Sequence, residues 1–315
     1  MTDPIHPNEL AAARERLDDL RREIGRVFFG SSRISDLILV SLLARGHVLL
    51  EGVPGVAKTT LVKAVSVGLG CSVRRIQFTP DLLPADITGT YVLSPKDGNF
   101  ALRPGPLFAN VVLADEINRA PAKTQSALLE AMQERQVTID GDRFELPNPF
   151  LVLATQNPVD LEGTYPLPEA QIDRFLVRIV IGYPTAKDEV TMLKMHHATP
   201  PTMRAVLSPA DVLSLQTIAS RVHVEDDLYE YCAGLAAFTR HHPAVVLGVS
   251  PRGSLGLVQA AKARAMLDGR AFVTPDDVQG ILHAVFAHRF VMSPESEEGD
   301  AKARDAVVSE ELLRA

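Results

Sequence analysis

The residues best suited to chemistry begin where a short apolar run, residues 47–50, leads into a glycine-rich turn at residues 52–59. The turn has the sequence Gly-Val-Pro-Gly-Val-Ala-Lys-Thr, and the run before it is typical of a buried parallel strand. Glycine lets the backbone curl so that its N–H groups point inward, and the dipole of a following helix also favours an anion there. We therefore expect a phosphate-binding loop made of Gly52, Val53, Pro54, Gly55, Val56, Ala57, Lys58, Thr59 and Thr60.

Two side chains of this loop suit a nucleoside triphosphate bound with magnesium. Lys58 would reach the β- and γ-phosphates as a point charge, and the Thr59 hydroxyl would hold the metal ion. The strict pattern has glycine where this chain has Ala57, a change that is compatible with helical φ and ψ at that position. An isolated match also fits a loop that merely caps a helix, so the interpretation depends on a second motif.

The second motif is a pair of acids, Asp115 and Glu116, which directly follow the apolar residues 111–114. Asp115 is thereby placed at the carboxyl end of a buried strand, where open α/β sheets bind ligands and a carboxylate can hold magnesium. Glu116 lies on the other side of the chain and suits the polarisation of an attacking water. Most such pairs are only solvated turns, but the order and spacing of the two motifs predict binding and hydrolysis of a nucleoside triphosphate.

Further polar side chains follow two other apolar runs. Residues 150–155 are expected to form a buried strand, after which the amide of Asn157 could orient the same water or a γ-phosphate oxygen, although Asn-Pro alone is only a turn signal. Arg174 lies at a junction between a helix and the apolar strand 176–181, and its simplest interpretation is a surface ion pair with Asp173.

Arg252 stands at an unfavourable place for a positive charge. Ser250 and Pro251 predict the start of a helix, and Gly269 predicts its end. A cation in the first helical turn is disfavoured by the helix dipole unless an anion lies nearby. The pattern therefore indicates that Arg252 meets an anionic group.

Composition narrows the class of protein. The net charge of −7 and a pI near 5.7 argue against a general nucleic-acid surface. No apolar run has the length of a membrane helix, and the first residues lack the features of a signal peptide. Cys71 and Cys232 lie far apart without metal-binding spacing, so we expect a cytoplasmic protein with no membrane segment.

The hydrophobic pattern changes character near residue 183. Residues 1–183 are expected to form an α/β nucleotide-binding domain that includes an amphipathic N-terminal helix at 8–28, packed on that domain. Residues 184–315 are expected to be helical and to include an acidic, mobile segment at 293–300. The helices predicted there span residues 211–222, 226–240, 251–267 and 275–287.

Two β excursions interrupt the first domain. The first, at about 80–108, is expected to have strands around 90–93 and 100–102. The second, at 136–146, pairs 136–139 with 143–146 across an Asp-Gly turn. As sequence they are only hairpins.

Over residues 26–290 the chain resembles the MoxR family of AAA+ ATPases. Beyond the loop and the acids, the resemblance is carried by the strings Asp81–Gly89, Arg103–Pro106, Asp115–Pro121, Leu128–Val137, Ala154–Pro158 and Gly163–Ala170. It implies an α/β AAA+ P-loop domain, with a five-stranded parallel sheet flanked by helices, and a smaller all-α lid domain. It also implies ATP and Mg²⁺ as ligands.

The resemblance assigns roles that spacing alone does not show. Asn157 is similar to the residue called sensor 1, and Arg252 to sensor 2 in the lid, which contacts the γ-phosphate. Arg174 resembles the arginine finger that acts on ATP bound to the neighbouring subunit. Phe29 and Gly30 occupy the place where related chains contact adenine. These roles imply a homo-oligomer, a hexameric ring, that remodels or activates protein partners, among them partners with a von Willebrand factor A domain.

Three alternatives stay open at this point. A nucleic-acid motor of the minichromosome-maintenance type shares the second hairpin, but the acidic net charge speaks against it. A magnesium-chelatase-type ATPase subunit is disfavoured by the strings around residues 119 and 163–165. A nucleotide-dependent switch would need binding but not both Glu116 and Arg174.

Overall fold

In the computed structural model of this chain, the described residues are 4–28, 31–52, 58–93, 98–157, 164–183, 185–196, 202–293 and Val307. The described helices are α1 Pro7–Gly25, α2 Ser32–Leu43, α3 Lys58–Gly68, α4 Pro84–Thr88, α5 Ala122–Glu134, α6 Glu169–Ile172, α7 Ala186–His196, α8 Pro209–Arg221, α9 Asp226–His241, α10 Pro251–Leu267 and α11 Pro275–Phe286. The described strands are β1 Val48–Gly52, β2 Val73–Gln77, β3 Gly89–Leu93, β4 Phe100–Pro104, β5 Val111–Asp115, β6 Gln136–Ile139, β7 Asp142–Glu145, β8 Leu151–Gln156, β9 Val177–Ile181, β10 Val245–Leu247 and β11 Val291–Met292.

The central sheet has five parallel strands in the order β2-β5-β8-β1-β9. Strands β1, β5 and β8 are the interior strands, and they are almost wholly apolar because both of their faces are covered. Their carboxyl ends lie side by side, so the turns that follow them share one edge of the sheet. The predicted five-stranded parallel sheet is confirmed.

Alternate residues of the interior strands enter two different hydrophobic cores, as the period of a strand requires. Leu50 and Leu113 pack with the helices α1, α2 and α3 and with the helices of the carboxyl-terminal region. Leu49 and Val112 pack with α4, α5 and the two β excursions. The sheet is therefore buried on both sides, and only its edge strand β2 is largely exposed.

The carboxyl-terminal region is mostly helical, as expected. Helix α10 has the predicted bounds, its N-cap Ser250 accepts a hydrogen bond from the amide of Gly253, and Gly269 beyond its end has a positive φ of 78°. Helices α8, α9 and α11 match their predicted spans to within a few residues. The structure adds a short antiparallel pair, β10 with β11, to the predicted all-helical lid.

The N-terminal helix packs on both halves of the chain. It begins at Pro7 and ends at Gly25, before the predicted end, and Leu20 packs against Gly68 of α3. Its charged face forms ion pairs with α8, from Arg16 to Asp211 (2.9 Å) and from Glu9 to Arg221 (2.8 Å). The contacts with α8 were not predicted from the sequence, and the domain boundary near residue 183 stays a prediction.

Both β excursions form the predicted hairpins. Strand β3 pairs with β4, and β6 pairs with β7 across the turn that contains Gly141. The hydroxyl of Tyr91 in β3 donates to the carboxylate of Asp142 in β7 over 2.7 Å, which joins the two hairpins. None of the described helices is both long and apolar enough to cross a membrane.

Candidate active site

The predicted phosphate loop connects β1 to α3 at the edge where the interior strands end. Gly52 is buried at the end of β1, and a Cβ atom placed on it would lie 2.5 Å from the carbonyl oxygen of Ile181 in β9. A side chain at this position would therefore force β1 and β9 apart. Helix α3 begins at Lys58, with Thr59 half-buried and Thr60 exposed in its first turn. Residues 53–57 and the side chain of Lys58 lie outside the described part of the chain.

Asp115 ends β5 with its carboxylate held from two sides. The hydroxyl of Thr155 donates to Oδ1 over 2.6 Å, and Arg75 donates to Oδ2 from Nη2 (2.6 Å) and Nε (3.1 Å). The side chain of Asp115 is only 14% exposed, whereas that of Arg75 is 54% exposed. The carboxylate is thus held at the edge of the sheet, with the half-exposed guanidinium of Arg75 against Oδ2.

Glu116 adopts a left-handed backbone conformation, with φ 57° and ψ 50°. This conformation is uncommon for a residue other than glycine and often marks a functional position. It is stabilised by a hydrogen bond from the Glu116 amide to the Thr155 hydroxyl (2.8 Å). The side chain turns toward β2, where Oε2 accepts from Gln77 Nε2 (2.8 Å) and lies 3.2 Å from Arg119 Nε.

Three residues that the sequence analysis missed, Arg75, Gln77 and Thr155, hold the two acids. Arg75 and Gln77 lie two positions apart on β2, so their side chains share one face, and Arg75 Nη2 donates to Gln77 Oε1 over 2.9 Å. Thr155 is fully buried at the end of β8. The only sequence signal was the period-two alternation of polar residues before Phe78, which is too short to identify a strand by itself.

Asn157 follows the last residue of β8 and is buried at 6% exposure. It lies at the same edge of the sheet as Asp115, because β8 is the neighbour of both β1 and β5. The ends of the three interior strands therefore lie together at one edge of the sheet. Gly52 ends β1, Asp115 ends β5 and Asn157 directly follows β8.

Arg174 lies at the predicted junction between α6 and β9, and the described residues show no ion pair between it and Asp173, the simplest interpretation of its place in the sequence. Arg174 Nη1 instead donates to the carbonyl oxygen of Leu129 in α5 (2.9 Å), and its half-buried side chain borders a surface cavity of about 240 Å³. The lining residues of this cavity are Ser126, Leu129, Glu130, Gln133, Glu134, Gln171 and Arg174.

Asp173 binds three groups from the carboxyl-terminal region. Its Oδ2 accepts from the Ser250 hydroxyl (2.9 Å), its Oδ1 accepts from Arg289 Nε (2.9 Å), and Arg252 Nη1 lies 3.8 Å from Oδ2. The anion expected near Arg252 is thus, in this structure, the carboxylate of Asp173. The Arg252 side chain is 48% exposed and so can reach another anion. Phe29 and Gly30, predicted to contact adenine, lie outside the described residues.

Two protein-family models and a solved structure match this architecture. The model of the ATPase family associated with various cellular activities (AAA) matches residues 47–177, and that of the AAA lid domain matches residues 237–311. The chain is 48% identical to YeaC of Bacillus subtilis over 91% of its own length and 90% of the relative's. It is 46% identical to chaperone MoxR1 of Mycobacterium tuberculosis, over 90% of this chain and 78% of that protein.

The chain belongs to the MoxR family of AAA+ ATPases. A crystal structure of a candidate ATPase from Cytophaga hutchinsonii has a TM-score of 0.90 and 37% identity to it, and covers 98% of this chain and 96% of that one. The resemblance noted from the sequence strings and the predicted fold class, an AAA+ domain with a lid, are thereby confirmed. The roles of individual MoxR-family residues in this chain stay predictions.

Proposed function

We propose that this MoxR-family protein is a magnesium-dependent ATPase that works as a ring and uses ATP hydrolysis to remodel, mature or activate a protein partner. The observation that carries the proposal is the pair Asp115 and Glu116. Both are held by Thr155 at the end of β5, at the edge of the sheet where β1 also ends. Family membership and the chaperone name of the relative MoxR1 support a protein as the partner.

The donor atoms near the phosphate loop fit magnesium. Asp115 offers carboxylate oxygens and Thr59 offers a hydroxyl, which are the hard oxygen ligands that this ion prefers. Within the described residues, no group of three or more His, Cys, Asp or Glu side chains converges. Few protein ligands would then hold the ion, which suits the water and phosphate oxygens that magnesium retains in nucleotide sites. When bound, magnesium would neutralise charge on the β- and γ-phosphates.

Each residue of the proposed site would have a separate role in the reaction. Lys58 and the amides of residues 52–57 would bind the phosphates, and Arg252 would reach the γ-phosphate from the lid. Glu116 would take a proton from the attacking water, because its backbone conformation and the Thr155 hydrogen bond hold it next to Asp115. Asn157 would orient that water through its amide.

Arg174 would act on the ATP of a neighbouring subunit. Its guanidinium borders a surface cavity, where a second protein chain could approach it. An arginine that completes the site of the next subunit requires head-to-tail contacts, and such contacts close into a ring when the rotation allows. An arginine finger contributes on the order of 10³ to 10⁵ in rate in the GTPase case.

The replacement Glu116→Gln tests the proposal most directly. It removes the base but keeps the size and hydrogen-bonding capacity of the side chain, so ATP turnover should fall by about 10² to 10⁴. Binding of a fluorescent ATP analogue should stay within about twofold, since the phosphate-binding groups are untouched. The matched control is Glu15→Gln, an exposed acid on α1, which should hydrolyse ATP at the wild-type rate.

The same variant also tests the protein partner. Stalled in its ATP-bound state, Glu116→Gln should retain a protein from a cell extract that the Lys58→Ala variant, which cannot bind ATP, does not retain. Unchanged ATP turnover in Glu116→Gln would remove this residue from the mechanism. Equal recovery of proteins by both variants would contradict ATP-dependent partner binding.

A further inference from the structure

The buried guanidinium of Arg289 forms hydrogen bonds with the segment that carries Arg174. The Arg289 side chain, just after α11, is 2% exposed, and burying a charge is costly unless it is fully paired. Its Nε donates to Asp173 Oδ1 (2.9 Å) and its Nη2 to the carbonyl oxygen of Phe175 (2.7 Å). Asp173 and Phe175 are the two chain neighbours of Arg174, so one side chain spans the position of the predicted finger.

Further hydrogen bonds connect Arg289 and His288 to the same segment. Arg289 Nη1 donates to the carbonyl oxygens of Leu176 (3.0 Å) and of Val285 in α11, and His288 Nε2 lies 3.0 Å from the carbonyl oxygen of Phe175. Burial lowers the pKa of Arg289 to about 10 and the Asp173 carboxylate opposes that shift, so the guanidinium stays charged at neutral pH. The carbonyl groups of residues 175 and 176 are thus tied to the carboxyl-terminal region.

Helix α10 makes room for this contact with two glycines. A Cβ atom on Gly253 would lie 2.8 Å from Arg289 Cδ, and one on Gly256 would lie 3.1 Å from Leu176 Cδ1. The same helix begins with Ser250 and Arg252, which also reach Asp173. The start of α10, the residues after α11 and the segment 173–176 therefore form one connected unit.

We propose that Arg289 is a positioning residue which, through Asp173, makes Arg174 move with the lid of its own subunit. The inference rests on the proposed function, in which Arg174 acts on the neighbouring site. The Arg252 side chain is half-exposed and 3.8 Å from Asp173, so it can exchange this contact for one with a γ-phosphate. Arg289 is buried and keeps its contact with Asp173. A change of the lid on ATP binding would then shift Arg174 toward the next subunit, which couples one site to the next.

Mixing experiments separate this role from a purely structural one. Arg289→Met keeps most of the side-chain length but loses the donors, and ATPase activity of the pure variant should fall by about 10- to 100-fold, the range expected for a misplaced group. Its affinity for a fluorescent ATP analogue should stay within about twofold of wild type. Mixed with Glu116→Gln, which still binds ATP and keeps its own Arg174 but turns over slowly, it should recover activity; mixed with Arg174→Ala it should not.

The control mixture of Arg174→Ala with Glu116→Gln shows which of the two proposals fails. If that mixture recovers no activity, the finger in trans is wrong and the proposed function falls with it. If it recovers but Arg289→Met is rescued by Arg174→Ala, then Arg289 acts in its own site and the positioning role is overturned. The same holds if Glu116→Gln does not rescue a folded Arg289→Met that binds the analogue normally.

A second variant covers the case in which Arg289→Met does not fold. Asp173→Asn keeps the shape of the side chain and removes the negative charge of the carboxylate that accepts the hydrogen bond from Arg289 Nε. It should show the same pattern of rescue by Glu116→Gln and not by Arg174→Ala. Wild-type turnover in Asp173→Asn, or its rescue by Arg174→Ala, would contradict the proposal.

Discussion

At the scale of single residues, the two predicted catalytic acids already have partners supplied by strand β2. Arg75 contacts Oδ2 of Asp115, and Gln77 binds Glu116. The Arg75 guanidinium, 2.6 Å from that carboxylate, would compete with a metal cation for it. Arg75 would therefore have to release at least part of this contact when magnesium arrives.

Replacing Arg75 should strengthen the apparent binding of magnesium. An exposed ion pair of this kind is worth ~0.2–1 kcal/mol, so Arg75→Leu should lower the magnesium concentration needed for half-maximal activity by up to about fivefold. The measurement is a magnesium titration of ATPase activity at saturating ATP. Arg74→Leu, on the opposite face of β2, is the matched control and should leave the titration unchanged. A higher magnesium requirement in Arg75→Leu would indicate that Arg75 helps to hold the phosphates instead.

The residues that could be predicted from the sequence are those at the ends of apolar runs. Asp115 and Asn157 follow strands that are recognisable by composition, and the structure places both at one edge of the sheet. The contacts of Arg75 and Gln77 with the acids could not be predicted, because they depend on β2 lying next to β5. The order of strands in a sheet does not follow from the local sequence. The contact of Arg289 with Asp173 is likewise a property of the packed chain.

At the scale of secondary-structure elements, His47 joins three of them. Its ring lies at the start of β1, with Nε2 3.0 Å from the carbonyl oxygen of Met132 in α5, and Nδ1 accepts from the amide of Val152 in β8 (3.0 Å). The amide fixes Nδ1 as the acceptor, so Nε2 carries the proton in the neutral ring. Burial is the main reason that the pKa of His47 is lowered to about 4.

This histidine should make the stability depend on pH. Because the pKa of His47 is about 4 in the folded chain and about 6.5 in the unfolded chain, the unfolded state binds the extra proton between these values. The free energy of unfolding should therefore fall as the pH drops through this window, by about 1 to 2 kcal/mol from pH 6.5 to pH 5.

Denaturant unfolding at the two pH values measures the effect. His47→Gln should lose that part of the pH dependence, because glutamine does not titrate in this range. The exposed residue His241 provides the control, and His241→Gln should keep the full difference. An unchanged pH dependence in His47→Gln would show that other groups cause it.

Elements with strong end signals were predicted best. Helices α10 and α11 begin with a serine or threonine cap followed by proline, which fixes their starts. Strand β2 was missed because an edge strand with exposed arginines lacks the apolar run that marks an interior strand. The pair β10 and β11 was missed because strands of two and three residues carry almost no periodicity.

At the scale of the whole molecule, the helical region and the sheet are joined at several places. One hydrophobic core contains residues of β1, α1, α2 and the helices α8 to α11. Asp173 adds a polar link near Arg174, and Arg16 with Asp211 adds an ionic one through α1. If the chain binds ATP as proposed, these links would transmit a change at the nucleotide to the surface that bears Arg174, which is useful only if another subunit lies against that surface.

Assembly should therefore control activity. If Arg174 serves a neighbouring site, ATPase activity per subunit should rise with protein concentration in parallel with the oligomer mass measured by light scattering, because isolated subunits lack the finger. Arg174→Ala should assemble over the same concentration range yet keep the low activity of dilute wild type throughout. Arg14→Ala, which removes an exposed arginine on α1, should behave as wild type does. Activity per subunit that stays constant while the oligomer dissociates would mean that each subunit completes its own site, and Arg174 would then need a role within its own chain.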